Sequence, residues 1–251
     1  MSVYLFEAIF MIACFAIDAI MFFKIKKISF KSSILIFIFW TLVSLAFFTV
    51  IYTGFSKTMA TEFLTGYILE RTLGLDNMFV FILLFASFKV PAEGKERILF
   101  WGIVGAILLS ILFIYLGAAL IATFSFVMYI FGFFLVLTGL KLLVKKEEKD
   151  LKDSKIIKFF QNIIPSTKQY EGDKFYIKQK GRALFTPLFL VLLFVAVVDI
   201  IFAIDSIPAI FGITKDPFVV VTANFFSLMG FRAMFFLVSH LMNYFYYTQK
   251  K

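Results

Sequence analysis

One cysteine and one histidine are all that 251 residues carry of the two side chains that most often hold transition metals. The lone Cys14 cannot close a disulfide within the chain, and in its apolar run it reads as a small hydrophobic residue. The lone His240 cannot make a histidine-rich zinc site. No G-x-x-x-x-G-K-[ST] occurs, so the chain has no phosphate-binding loop of its own with which to spend ATP. Polar surface is the other shortage. With 62% hydrophobic residues, 38 of them Phe, and a mean hydropathy of +0.97, a water-soluble fold of this length could not be covered.

What is there instead is long apolar runs. Seven segments reach the roughly 20 residues a bilayer demands: 3–23, 33–52, 62–88, 98–122, 125–144, 184–213 and 218–246. No basic residue precedes the first, and Lys24, Lys26 and Lys27 follow it, which reads as an anchor with its N-terminus outside rather than a cleaved leader. Alternate loops agree. Of the 25 Lys and Arg residues, 21 fall on one set of loops and tails, Lys57 and Lys215 on the other, and Arg71 and Arg232 within apolar segments. The expected topology is therefore multi-pass, N-out and C-in, in the plasma (inner) membrane of a bacterium. The net charge of +9 belongs to this asymmetry and implies no nucleic-acid partner. The one long loop, about 145–183, is then cytoplasmic. Within it Ile156, Ile157, Phe159, Phe160, Ile163 and Ile164 alternate with lysines as a short amphipathic helix on the anionic leaflet would.

Six carboxylates lie inside otherwise apolar stretches: Glu7, Asp18, Glu70, Asp76, Asp199 and Asp205. Each costs about 2.5–3.5 kcal/mol at mid-bilayer, so a partner or a function is required. Glu7 and Asp18 stand near membrane ends, where interfacial and structural roles suffice. The other four repeat a spacing, Glu70-x5-Asp76-Asn77 and Asp199-x5-Asp205-Ser206, in segments that cross in opposite directions. That is the pattern of an inverted repeat with an ion site between its halves. Oxygen ligands without His or Cys suit a hard divalent cation. Candidate ligands are Glu70, Asp76, Asn77, Asp199, Asp205, Ser206 and Asn224, with Asp18 as a weaker one. Pairing with Arg71 or Arg232 is the structural alternative for these acids.

Residues six apart on an α-helix differ by about 240° in azimuth and about 9 Å in height, so the paired acids cannot share one face at one level. Either the helices break, with Gly74 and Pro208 as the breakers, or the acids form a two-tier ladder along a pathway.

From about residue 62 to 236 the chain resembles the TerC/Alx family of integral membrane proteins. The likeness rests on Gly66-Tyr67-Ile68-Leu69-Glu70 with Asp76-Asn77-Met78-Phe79-Val80-Phe81, on Arg97 to Gly102, on Thr186-Pro187-Leu188, on the run Asp199 to Phe211, on Asp216-Pro217-Phe218, and on Asn224 through Ala233. The resemblance implies manganese efflux, shared with relatives named for tellurite resistance, and implies that Glu70, Asp76, Asp199 and Asp205 are the transport acids. Ala196 stands where the family has a Glu, and Ser110 where it has a basic residue. The family also continues into a further helix.

The expectation is thus an all-α polytopic membrane helix bundle of about seven spans, with two N-terminal helices over 1–57 and a TerC-like transporter core over 58–251. The arrangement expected is an inverted repeat of three-helix units whose last helix is missing, with function weakened or absent. The function expected is secondary export of a divalent cation, most simply manganese, exchanged for protons. Mn2+ is cargo, with no permanently bound cofactor and no enzymatic activity. Membrane lipid is a partner, and nothing in the sequence specifies an oligomeric state. Two other classes compete: a non-transporting factor for membrane-protein assembly or stress, and an intramembrane aspartyl enzyme. The last needs Gly-x-Gly-Asp, whereas Leu73-Gly74-Leu75-Asp76 stands here.

Overall fold

The computed structural model describes residues 3–25, 28–124, 126–143, 163–167, 169–179 and 182–249. Among them are eight helices and one small hairpin: α1 (Val3–Lys24), α2 (Phe30–Gly54), α3 (Lys57–Ser87), α4 (Ala92–Thr123), α5 (Val127–Leu143), β1 (Tyr176–Gln179), β2 (Arg182–Phe185), α6 (Pro187–Phe211), α7 (Pro217–Leu228) and α8 (Phe231–Gln249). The chain is an all-α polytopic membrane protein. Of the expected amphipathic segment, 156–162 lies outside the described residues, and Ile163 is 61% exposed.

Local chemistry sets the helix ends. Ser29 and Ser56 cap α2 and α3 by accepting from the N–H groups of Ser32 and Met59. Asp216 caps α7 by accepting from Phe218, with Pro217 at the first helical position, where its missing N–H costs nothing. Inside the apolar helices, the hydroxyls of Thr41, Ser44, Thr49 and Thr72 each donate to the carbonyl four residues back at 2.8–2.9 Å. A hydroxyl surrounded by hydrocarbon needs an acceptor, and its own backbone is nearest.

The seventh apolar segment is not one helix. It breaks at Met229–Gly230 into α7 and α8, bent by 41°. Gly230 holds φ +75°, a conformation costly for any side chain, and a Cβ there would meet Trp40 at 3.1 Å. The breakers named from sequence do not break: α3 runs through Gly74 and α6 runs through Pro208. Among the described residues four helices can cross a membrane by length and composition (α1, α2, α4 and α6), or five if the bent pair is one span. The difference from seven has simple causes. The 31 residues of α3 include Glu62, Glu70, Arg71 and Asp76, which dilute its apolarity, and α5 spans only 17 residues.

The core is aromatic and joins four helices: Phe47 meets Phe10, Phe63 and Phe226 with ring centres 5.5, 4.9 and 4.7 Å apart. Outward, Ile12, Leu35, Leu108 and Tyr129 are 64–81% exposed, a surface suited to lipid rather than water. Helix α6 seats side chains against glycines of its neighbours. A Cβ added at Gly66 of α3 would meet Ile210 at 2.9 Å; on α4, one at Gly94 would meet Leu188 at 2.6 Å, one at Gly102 would meet Val195 at 3.2 Å, and one at Gly117 would meet Phe211 at 3.1 Å.

At the end of the bundle that carries Lys24, Lys89 and Lys95, the hairpin is tied down. Tyr170 donates to the carbonyl of Phe88 at 2.8 Å, and burial pushes its phenol up to about 12, so it stays a donor. Arg97 of α4 pairs with Asp173 at 2.7 Å. The strands were not expected from sequence.

Candidate cation site

Between α3, α4, α6, α7 and α8 lies a cavity of about 70 Å³, room for an ion and a small number of waters. Helix α3 presents Glu70, Gly74, Asn77 and Phe81 to it, and α6 presents Val195, Asp199, Phe202 and Ser206. Each set is spaced four, three, four, the repeat of a single helix face. Asn224 and Ser227 enter from α7, and Ser110 from α4. Polar groups from four helices therefore converge on a cavity set within hydrocarbon, with Phe81, Phe202 and Phe231 among the apolar lining.

The structure brings together Glu70, Asn77, Asp199, Ser206 and Asn224, and leaves Asp76, Asp205 and Asp18 off the lining. Helix azimuth explains the sorting. Asn77 and Ser206 stand seven residues after Glu70 and Asp199, about 20° short of two full turns, so they share the face. Asp76 and Asp205 stand six after and turn away. Asp76 is exposed beside Leu75, 40% exposed, while Asp205 is half-buried. Among the described residues no three acids, His or Cys come together to hold a metal. Two carboxylates, Glu70 and Asp199, and the guanidinium of Arg71 are the ionisable groups of the lining, with neutral oxygens beside them. One oxygen of Glu70, Oε1, is buried without a hydrogen-bond partner, and the carboxylate interacts with the side chains of Asn224 and Ser206. A buried acceptor left free is costly in hydrocarbon, and a proton or a cation would satisfy it.

Among the described residues neither the half-buried Arg71 nor the buried Arg232 forms an ion pair with Glu70 or Asp199. Arg71 lines the cavity, but its Nη1 donates to the carbonyls of Ser227 at 2.9 Å and Met229 at 3.1 Å, and its Nη2 to the hydroxyl of Tyr67 at 3.2 Å. It caps the C-terminus of α7, where carbonyls freed by the break concentrate partial negative charge. Sequence reasoning missed this role, along with Ser227 and Ser110 as lining groups. The signal available was Gly230, one residue past the orphaned carbonyls. Arg232 is 2% exposed, stacks over Phe22 at 5.1 Å, and lies in the field of Asp18 and Glu96. Asp18 also interacts with the indole N–H of Trp40, at a geometry looser than a well-formed hydrogen bond. Its setting is thus a buried charge cluster away from the cavity. Glu7 is likewise buried, 2% exposed, in α1 near Asp216.

A bundle of apolar helices enclosing a small acidic cavity defines a polytopic integral membrane protein with a polar interior site. Residues 55–250 match the integral membrane protein TerC family, and the chain belongs to that family. It is 38% identical over 242 residues to an uncharacterized membrane protein of Myxococcus xanthus, covering 96% of this chain and 76% of that one. To the putative membrane-bound redox modulator Alx of Escherichia coli (strain K12) it is 42% identical over 181 residues, covering 72% of this chain and 56% of that one. An uncharacterized membrane protein of Rickettsia felis is 37% identical over 227 residues, 90% and 75% of the two chains. No solved structure matches.

Proposed function

We propose that this TerC-family protein is a secondary exporter of a hard divalent cation, manganese first among them, working by exchange with protons and catalysing no covalent chemistry. One observation carries the reading: Glu70 and Asp199, from helices of the two repeated segments, meet at a cavity with Asn77, Ser206 and Asn224, an oxygen-only set in a membrane interior. Such a set suits Mn2+ or Mg2+ better than zinc or copper. Outward movement of a dication against 100 mV costs about 4.6 kcal/mol, and protons competing for the same carboxylates supply a counter-flow. The name redox modulator, given to the Alx relatives, is matched by no dithiol couple in this chain, which has a single cysteine.

Cells loaded with excess manganese should hold several-fold less of it when they make this protein. Equal intracellular manganese with and without the protein, at verified membrane levels, rejects the reading in favour of a non-transporting role.

The basic-residue asymmetry supports an N-out orientation in the inner membrane. With Cys14 replaced, a cysteine at position 215 should react with an impermeant thiol reagent in intact cells, and one at 89 only after lysis. The reverse pattern overturns the orientation.

A further inference from the structure

Among the described residues the hairpin has one covered edge and one open edge. The bridge of Ser166 to Phe185, with bonds from Thr167 N to Phe185 O and from Phe185 N to Pro165 O, covers the outer side of β2. Among the described residues β1 pairs only with β2. Its register, Tyr176 with Phe185 and Ile177 with Leu184, and the bond from Thr186 N to Phe175 O fix which groups face inward. In an antiparallel pair the hydrogen-bonded residues alternate, so Phe175 and Ile177 bond to β2, while the backbone polar groups of Tyr176 and Lys178 face the open edge.

A groove of about 470 Å³ is lined by Arg97 of α4 and by the consecutive residues Lys174 to Lys178. Consecutive lining residues are what a groove along a strand edge requires. It thus combines three cationic side chains with outward backbone N–H groups. Asp173 pairs with Arg97 beside the groove, and the charged side chains of the lining itself, Arg97, Lys174 and Lys178, are all cationic. Lys174 and Lys178 are exposed, and Tyr176 is 61% exposed.

Position selects the occupant. Helix α4 has 32 residues, about 48 Å of helix, against roughly 30 Å of hydrocarbon. The apolar run begins only at Ile98, so the surplus at this end, which includes Arg97, belongs at headgroup depth. Strand β2 leads through Thr186 directly into α6 at Pro187, which holds the hairpin at the same level. Lysine and arginine beside an exposed tyrosine at that depth match phosphate and interfacial packing together.

We propose that the open edge of β1 and Arg97 form a binding groove for the phosphate of an anionic phospholipid headgroup. The site is independent of cation transport and would fasten the segment preceding α6 to the membrane surface.

The test uses the full chain purified in micelles, with retained lipid read by native mass spectrometry. Phosphatidylglycerol should be retained in preference to phosphatidylcholine at equal mole fraction. K174Q and K178Q should each lower that retention about fivefold, whereas K174R and K178R should keep it. Equal retention of the two lipids, or no loss in the glutamine variants, overturns the proposal. So does release of the lipid by millimolar inorganic phosphate or by an extended acidic peptide, which would assign the groove to a free anion or to an added strand. The lipid preference is measured on the native chain, so the proposal can fail even where a variant does not fold.

Discussion

Glu70→Gln and Asp199→Asn are each expected to reduce manganese export at least about tenfold, the lower scale on which groups at and around metal sites alter affinity. Both replacements keep the shape and one acceptor oxygen while removing the charge that draws a dication into hydrocarbon. Asp76→Asn should cost far less, because Asp76 is exposed off the cavity. The measurement is manganese efflux from loaded inverted vesicles or proteoliposomes, at matched protein content. Loss of efflux in Asp76→Asn with normal efflux in Glu70→Gln would place the pathway outside this cavity.

Arg71→Met is expected to lower stability more than any charge-neutralising change in the cavity. It strips donors from the carbonyls of Ser227 and Met229 at a helix end surrounded by apolar side chains. A buried polar group left unpaired costs about 1–3 kcal/mol, and each kcal/mol lowers the midpoint by about 2–4 °C in a chain of this size. The thermal unfolding midpoint in micelles should fall by several degrees or more. Arg71→Lys should recover only part of it, since an ammonium lacks the planar fork that reaches two carbonyls and Tyr67 together. A Met variant as stable as the native chain would show that the break at Gly230 is satisfied in another way.

Hydropathy alone located the apolar segments, because a bilayer imposes a length that composition reveals. It could not show the break at Met229–Gly230, where the neighbours Ser227, Leu228 and Phe231 continue the apolar run and the φ of one glycine decides the geometry. Charge alone singled out Glu70 and Asp199, since an acid in hydrocarbon must be explained. It also singled out Asp76 and Asp205, whose azimuth sets them off the lining of this cavity. The seven-residue relations to Asn77 and Ser206 were present in the same motifs and were the better guide. Arg71 adjoins Glu70 in sequence, but a step of 100° around the helix gives it to α7 instead. The hairpin was hidden by its setting. The alternation Lys174, Tyr176, Lys178 is a fair strand signal, yet it sits in a basic loop that topology had already accounted for.

The glycine contacts of α6 bear on how Asp199 can move. Four of its side chains press against places on α3 and α4 where a neighbour lacks a Cβ. A knob in a notch resists sliding, because a displacement of one turn, about 5.4 Å, would carry Leu188 or Ile210 onto residues that do have side chains. Tightly packed surfaces of this kind have discrete resting positions rather than a continuum. The helix that carries Asp199 is thereby geared to α3 and α4. Sliding of that helix along its own axis is resisted at all four seats, which holds Asp199 in register with Glu70 on α3.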